Sequence, residues 1–106
     1  MVGFEHRSPY FEHARVAANA ALAEARGDPA AADVYADAAD RWERFGVVPE
    51  RGFALLGRGR CLVGLARPTE AAPVLREARE IFVQLSAAPA LAETDALIRE
   101  ATALSS

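Results

Sequence analysis

Five of the six prolines in this chain stand at Pro9, Pro29, Pro49, Pro68 and Pro89, in steps of 20, 20, 19 and 21 residues. Proline fixes φ near −65° and has no N–H, so an α-helix tolerates it only in the first turn, where that N–H would have no partner. An even ladder of prolines is therefore a ladder of helix starts. It predicts five helices over about 9–26, 29–46, 49–66, 69–86 and 89–104. The sixth proline, Pro73, falls near the end of the fourth helix's first turn and is expected to remove a backbone bond or tilt that start.

The joints agree with this spacing. "RGDP", Arg26 to Pro29, supplies a glycine to end one helix and Asp28 to open the next. "ARPTE", Ala66 to Glu70, offers Thr69 as a cap in the same place. Connections this short predict antiparallel helix hairpins. Within the helices apolar residues recur at three and four: Val34, Tyr35, Ala38, Trp42 and Phe45 in the second, Val74, Leu75, Ala78, Phe82 and Leu85 in the fourth.

Those two stripes are one pattern written twice. Shifted by forty, "AADVYADAADRWERFG" lies over "AAPVLREAREIFVQLS" without a gap. Ala31, Ala32, Val34 and Ala38 meet Ala71, Ala72, Val74 and Ala78, while Tyr35, Trp42 and Phe45 meet Leu75, Phe82 and Leu85, large against large. An internal repeat of helix hairpins predicts an all-α chain built as an α-solenoid. In this reading Trp42 and Phe45 close the apolar face of the second helix, and Gly46 and Pro49 turn the chain into the next hairpin.

With 106 residues the chain supplies a single domain, 1–106. Its apolar share is 52%, but 25 residues are alanine, which favours helix more than it fills a core. All 12 basic residues are arginine, a bias that reads as the codon usage of a high-GC bacterial genome. A net charge of −3 argues against nucleic acid, whose phosphates select a basic surface, and against a peripheral membrane anchor. The single cysteine, Cys61, excludes an internal disulfide framework and makes a reducing cytoplasm the expected location. "MVGFEHRSPY" holds Glu5, His6 and Arg7 where a signal peptide needs an apolar run, so neither export nor anchoring is expected.

The stretch "LLGRGRCLVGLARPTEAAPVLREAREIF" resembles a tetratricopeptide repeat (TPR), with Gly59, Leu62, the turn at Ala66 and Arg67, then Ala71, Leu75 and Ala78 at the family's small, large and alanine positions. The first hairpin keeps Leu22, Ala31, Tyr35 and Ala38 but has Asn19 where the small residue belongs. The repeat length also departs, at about forty rather than about thirty-four. From about Pro9 onward the chain is similar to the C-terminal TPR region of large bacterial regulators that join an ATPase module to a cyclase-like or LuxR-type domain. The resemblance implies a right-handed α-solenoid, with hairpins at about 9–46 and 49–86 and a capping helix at about 89–104. It also implies either a free-standing relative or a piece of a larger protein.

Candidate chemistry is sparse, and no enzyme, metal or cofactor is expected. "GRGR", Gly57 to Arg60, follows no strand, so its glycines are read as letting a neighbouring helix approach rather than cradling phosphate. His6 and His13 stand two turns apart, about 10 Å, too far to share a metal even with Glu5 and Glu12 nearby; both are read as solvent-facing. Cys61, inside "CLVGL", is read as a buried inert thiol rather than one activated by Arg60. Asp33, Asp37, Asp40 and Arg44 on the second helix and Arg51, Arg58 and Arg60 on the third form either a solvated face salt-bridged between helices or patches that guide a partner.

In TPR arrays the first helix of each hairpin lines a concave surface, which the resemblance places here at His13, Val16, Ala17 and Ala20, at Phe53, Leu56, Arg60 and Val63, and at Glu93, Leu97 and Glu100. Such a lining suits an extended peptide or a helix. The carboxylate clamp of paired lysines and asparagines is absent, since the chain has no lysine. The leading expectation is a non-enzymatic protein-interaction module with a protein or peptide partner. The alternative is self-association through the ends, because two hairpins are fewer than the three repeats of a stable array; in the fifth helix Leu91, Ile98 and Ala101 would pack inward as a cap, with Glu93, Asp95, Arg99 and Glu100 facing water. A small-molecule sensor or an enzyme of unrecognised type, using a pocket between hairpins, is the third.

Overall fold

The computed structural model describes residues 9–105, and the side chains from Phe11 onward. Five helices, α1 (Pro9–Ala25), α2 (Ala31–Phe45), α3 (Val48–Gly64), α4 (Pro68–Leu85) and α5 (Ala88–Ser105), make up most of the described backbone, and the described residues contain no strand. Among the described residues no helix is long and apolar enough to cross a membrane.

The proline ladder locates the starts. Pro68 opens α4, Pro49 and Pro89 are the second residues of α3 and α5, and Pro9 is the first residue of α1. Pro29 is the exception, lying ahead of α2, because Asp28 Oδ1 accepts the N–H of Ala30 (2.9 Å) and holds a turn before the helix begins at Ala31. Asp28 thus orders the approach rather than capping α2, and Thr69 caps nothing: it lies exposed inside the first turn of α4, whose N-cap, Arg67, makes no side-chain capping bond and instead forks onto Glu70 (2.7 and 2.6 Å). Pro73 is accommodated without a break in α4, leaving the carbonyl of Thr69 without its usual helical donor.

The helix ends share one device. Past α1, α2, α3 and α4 stand Gly27, Gly46, Ala66 and Ser86, all with left-handed backbone (φ 71°, 84°, 57° and 54°). In each case the following N–H reaches back over a turn to a helix carbonyl: Asp28 to Ala23, Val47 to Trp42, Arg67 to Leu62 and Ala87 to Phe82. With the companion bonds Gly27 to Glu24, Gly46 to Glu43, Ala66 to Val63 and Ser86 to Val83, every joint is a Schellman motif. Only two of the four have the residue that makes a positive φ inexpensive.

Each helix packs on the next, and α3 also touches α1 and α5, whereas α2 and α4 make no contact with one another. Short joints between packed neighbours set the helices antiparallel in turn. The assembly measures 58 × 31 × 20 Å along its principal axes. Burial follows the forty-residue repeat: Ala31 and Ala71, Ala38 and Ala78, and Trp42 and Phe82 are all buried, and Trp42 and Phe82 are the largest wholly enclosed side chains. Burying each such aromatic contributes about 2–3 kcal/mol.

The glycines of α3 set how closely its neighbours approach. A Cβ on Gly57 would fall 2.4 Å from the Tyr35 ring, and one on Gly59 would fall 2.3 Å from Leu75 Cδ2. These glycines therefore admit α2 and α4 to close range, as expected.

Two expectations need correction. Phe45 and Leu85 end their helices 39% and 42% exposed, so the enclosed aromatics of the two apolar faces are Trp42 and Phe82, with Phe45 only partly covered beside Trp42. Leu22 does not reproduce Leu62: it is half exposed where Leu62 is buried. One turn earlier Asn19 has a side chain where Gly59 has none, and Tyr35, the counterpart of Leu75, fits against Gly57 of α3. In α5, as expected, Ala101 is buried and Leu91 and Ile98 pack partly buried against the core, joined there by the buried Ala90, Thr94 and Leu97. Thr94 is fully enclosed, and its hydroxyl donates to the Ala90 carbonyl (2.7 Å).

Candidate interaction groove

The first, second, third and fifth helices border an open hollow of about 320 Å³, lined by Ala17 of α1, Tyr35 and Trp42 of α2, Glu50, Phe53, Ala54, Leu56 and Arg60 of α3, and Glu93 of α5. Leu56 and Trp42 form its buried floor. Phe53 stands in it 54% exposed, with its ring centroid 5.0 Å from that of Phe82. One repeat earlier His13 makes the equivalent contact, edge-on to Trp42 at 5.5 Å and to Phe45 at 5.2 Å. His13 is thus half buried against aromatic rings rather than turned to solvent; His6 and Glu5 lie outside the described residues.

Arg60 holds the groove's edge together. Its Nε and Nη2 donate to the two carboxylate oxygens of Glu24 (2.5 and 2.8 Å), and its Nη1 donates to Glu93 Oε2 (2.8 Å). Tyr35 donates its hydroxyl to Glu24 Oε1 (2.7 Å). One polar node therefore ties α1, α2, α3 and α5. The forked geometry matches guanidinium to carboxylate, and partial burial makes such a pair stronger than an exposed one. The Arg60 guanidinium holds the Glu24 carboxyl below its ordinary range against the opposing effect of burial, with Tyr35 assisting. In return Glu24, then Glu93, hold Arg60 firmly in its charged form. Burial, followed by the bond to the Glu24 carboxylate, pushes the Tyr35 hydroxyl up to about 12.

A second hollow, of about 250 Å³, shares Arg60 and is otherwise bounded by Glu24, the turn at Gly27, Asp28 and Pro29, and Cys61, Gly64 and Leu65. Cys61 is partly rather than fully buried. Burial and the nearby Glu24 carboxylate push its thiol up to about 11, so at neutral pH it carries its proton and is a poor nucleophile.

Of the residues expected to line a concave surface, Phe53, Leu56, Arg60 and Glu93 come together here, with Ala17. Val16, Ala20, Val63 and Leu97 are buried in the core instead, and Glu100 is exposed on α5 outside the hollow. Sequence reasoning missed Glu24 and Glu50. Glu24 had a signal: it is the one acidic residue between Glu12 and Asp28, in a helix otherwise rich in alanine.

The expected charge ladder between α2 and α3 is also redrawn. Asp37 pairs with Arg41 inside α2 (3.1 Å), and the bridge between helices is made by Arg51, which reaches Glu43 of α2 (3.8 Å) and Glu77 of α4. Arg79 joins α4 to Asp95 of α5 (2.6 Å).

Compared with known proteins, the chain matches no family model, no curated protein and no solved structure.

Proposed function

We propose that this chain is a non-enzymatic protein-interaction module, a cytoplasmic regulatory segment whose five helices form a right-handed solenoid of the TPR type. A peptide or helix occupies the groove between α1, α3 and α5. One observation carries this reading: a large aromatic, Phe53, stands half exposed over a buried floor of Leu56 and Trp42, with charged groups confined to the edge. An apolar trough with polar margins is the form that peptide-recognition grooves take. The forty-residue repeat and the contacts among the odd-numbered helices support the solenoid. Peptides selected for binding to the full chain are expected to lose that binding in the Arg60→Glu, Phe53→Ala double variant. Unaltered binding would remove the groove from consideration.

A second reading is favoured by Leu22, which α1 leaves 52% exposed beside the exposed Ala18. A second copy packed on this outer face of α1 would cover them as a symmetric dimer. Light scattering behind a sizing column, over a hundredfold range of concentration, checks it: a constant mass of about 23 kDa, twice the 11.3 kDa chain, is the dimer's result, and a mass of one chain throughout rejects it.

A further inference from the structure

The charge around Phe53 is one-sided. Glu50, Glu93 and Arg60 stand at the hollow's edge, but Arg60 is held by Glu24 through two of its nitrogens and spends only its third on Glu93. Counted with Glu24, three carboxylates face one guanidinium, which leaves two formal negative charges. Glu50 makes no ion pair among the described residues. The nearest arginine in sequence, Arg51, is committed elsewhere, to Glu43 and Glu77. Glu93 has its second oxygen unengaged, and its side chain is 48% exposed. An exposed phenyl ring lining one hollow with an unpaired carboxylate and a half-engaged one is suited to a cation: the ring face attracts positive charge, and the carboxylates supply directed acceptors.

Resting on the groove assigned above, we infer that its occupant is a basic segment, which lays an arginine or lysine side chain across Phe53, between Glu50 and Glu93, with apolar neighbours on the floor. The aliphatic stem of such a side chain covers the ring while its charged head reaches the carboxylates. An acidic segment would meet two carboxylates and an arginine already bonded to others. The chain's overall charge of −3 acts in the same direction at long range.

The test is selection of random peptides about a dozen residues long against the full chain, with affinities then read from Trp42, the only tryptophan, which sits at the groove floor. The expected result is enrichment of peptides with arginine or lysine flanked by apolar residues. Glu50→Gln should weaken them about threefold to tenfold, Phe53→Ala by more, and raised salt progressively. Glu50 is partly exposed and makes no ion pair among the described residues, so Glu50→Gln is expected to disturb the packing less than Phe53→Ala and keeps the result interpretable should Phe53→Ala loosen the packing on Phe82. Neutral or acidic peptides that still require Phe53 would overturn the basic occupant and leave the groove standing. Peptides indifferent to Phe53, Arg60 and Glu50, or no enrichment at all, would overturn the groove and the inference together.

Discussion

Replacing Gly59 by alanine tests the close approach of α3 and α4. The new Cβ would lie 2.3 Å from Cδ2 and 2.6 Å from Cγ of Leu75. Carbon atoms pack at about 3.5–4.0 Å, so the two helices must part by roughly 1.2 Å or Leu75 must leave its rotamer. Leu75 is wholly enclosed and has no solvent to swing into. Overpacking of this kind costs about 1–3 kcal/mol, against which alanine in place of a helical glycine gains about 1 kcal/mol. With a clash this close the balance is a loss of about 1–2 kcal/mol, a fall in Tm of roughly 5–10 °C. Gly64, on the same helix, has nothing within 4 Å of its Cβ position. The same substitution there should gain about 0.5 kcal/mol, because only the propensity effect acts. Urea unfolding followed by far-UV circular dichroism measures both. A second arm isolates the contact: after Leu75→Ala has emptied the space, at a cost of about 2–5 kcal/mol, adding Gly59→Ala should stabilise rather than destabilise. A Gly59→Ala variant at least as stable as Gly64→Ala would refute the close approach of α3 and α4.

Three further outcomes follow from the same structure. Ala66→Gly and Ser86→Gly should each raise stability by about 0.5–1 kcal/mol, since both residues hold a left-handed backbone that glycine adopts freely, while Gly27→Ala and Gly46→Ala should lose about 1 kcal/mol; urea midpoints decide the signs. At alkaline pH, Cys61 (from 9.0 up to about 11) and Tyr35 (from 10.0 up to about 12) are both raised on folding. What their neutral forms contribute is therefore complete below pH 9 and is lost as pH climbs from 9 through 12; Cys61→Ala should delay the onset of that fall and Tyr35→Phe should remove its upper part. On the acid side Glu24 is lowered from 4.5, so its contribution is present above that value and lost as pH falls below it, and Glu24→Gln should flatten this limb of the stability profile.

The sequence by itself determined where helices start and which residues of α2 and α4 turn inward. Both properties are short-range: proline acts within one turn, and the stripes repeat at three and four. The forty-residue identity carried burial from Ala38 to Ala78 and from Trp42 to Phe82 without reference to the rest of the chain. Gly57 and Gly59 were legible too, because a glycine inside a helix pattern implies something approaching it. The rotation of α1 was decided only in the tertiary structure. That helix is alanine on most sides, so no face of its own dominates, and the packing partner chose Val16 and Ala20 for the interior while Leu22 stayed outside. The same rotation brought Glu24 to Arg60, which lies 36 residues away, and α5 brought Glu93 from 33 residues beyond. Each residue along a helix turns the side chain by about 100°, so an error of one position in how two helices meet sends a carboxylate to solvent. Ion pairs between distant helices depend on that angle, which no local pattern in the chain encodes.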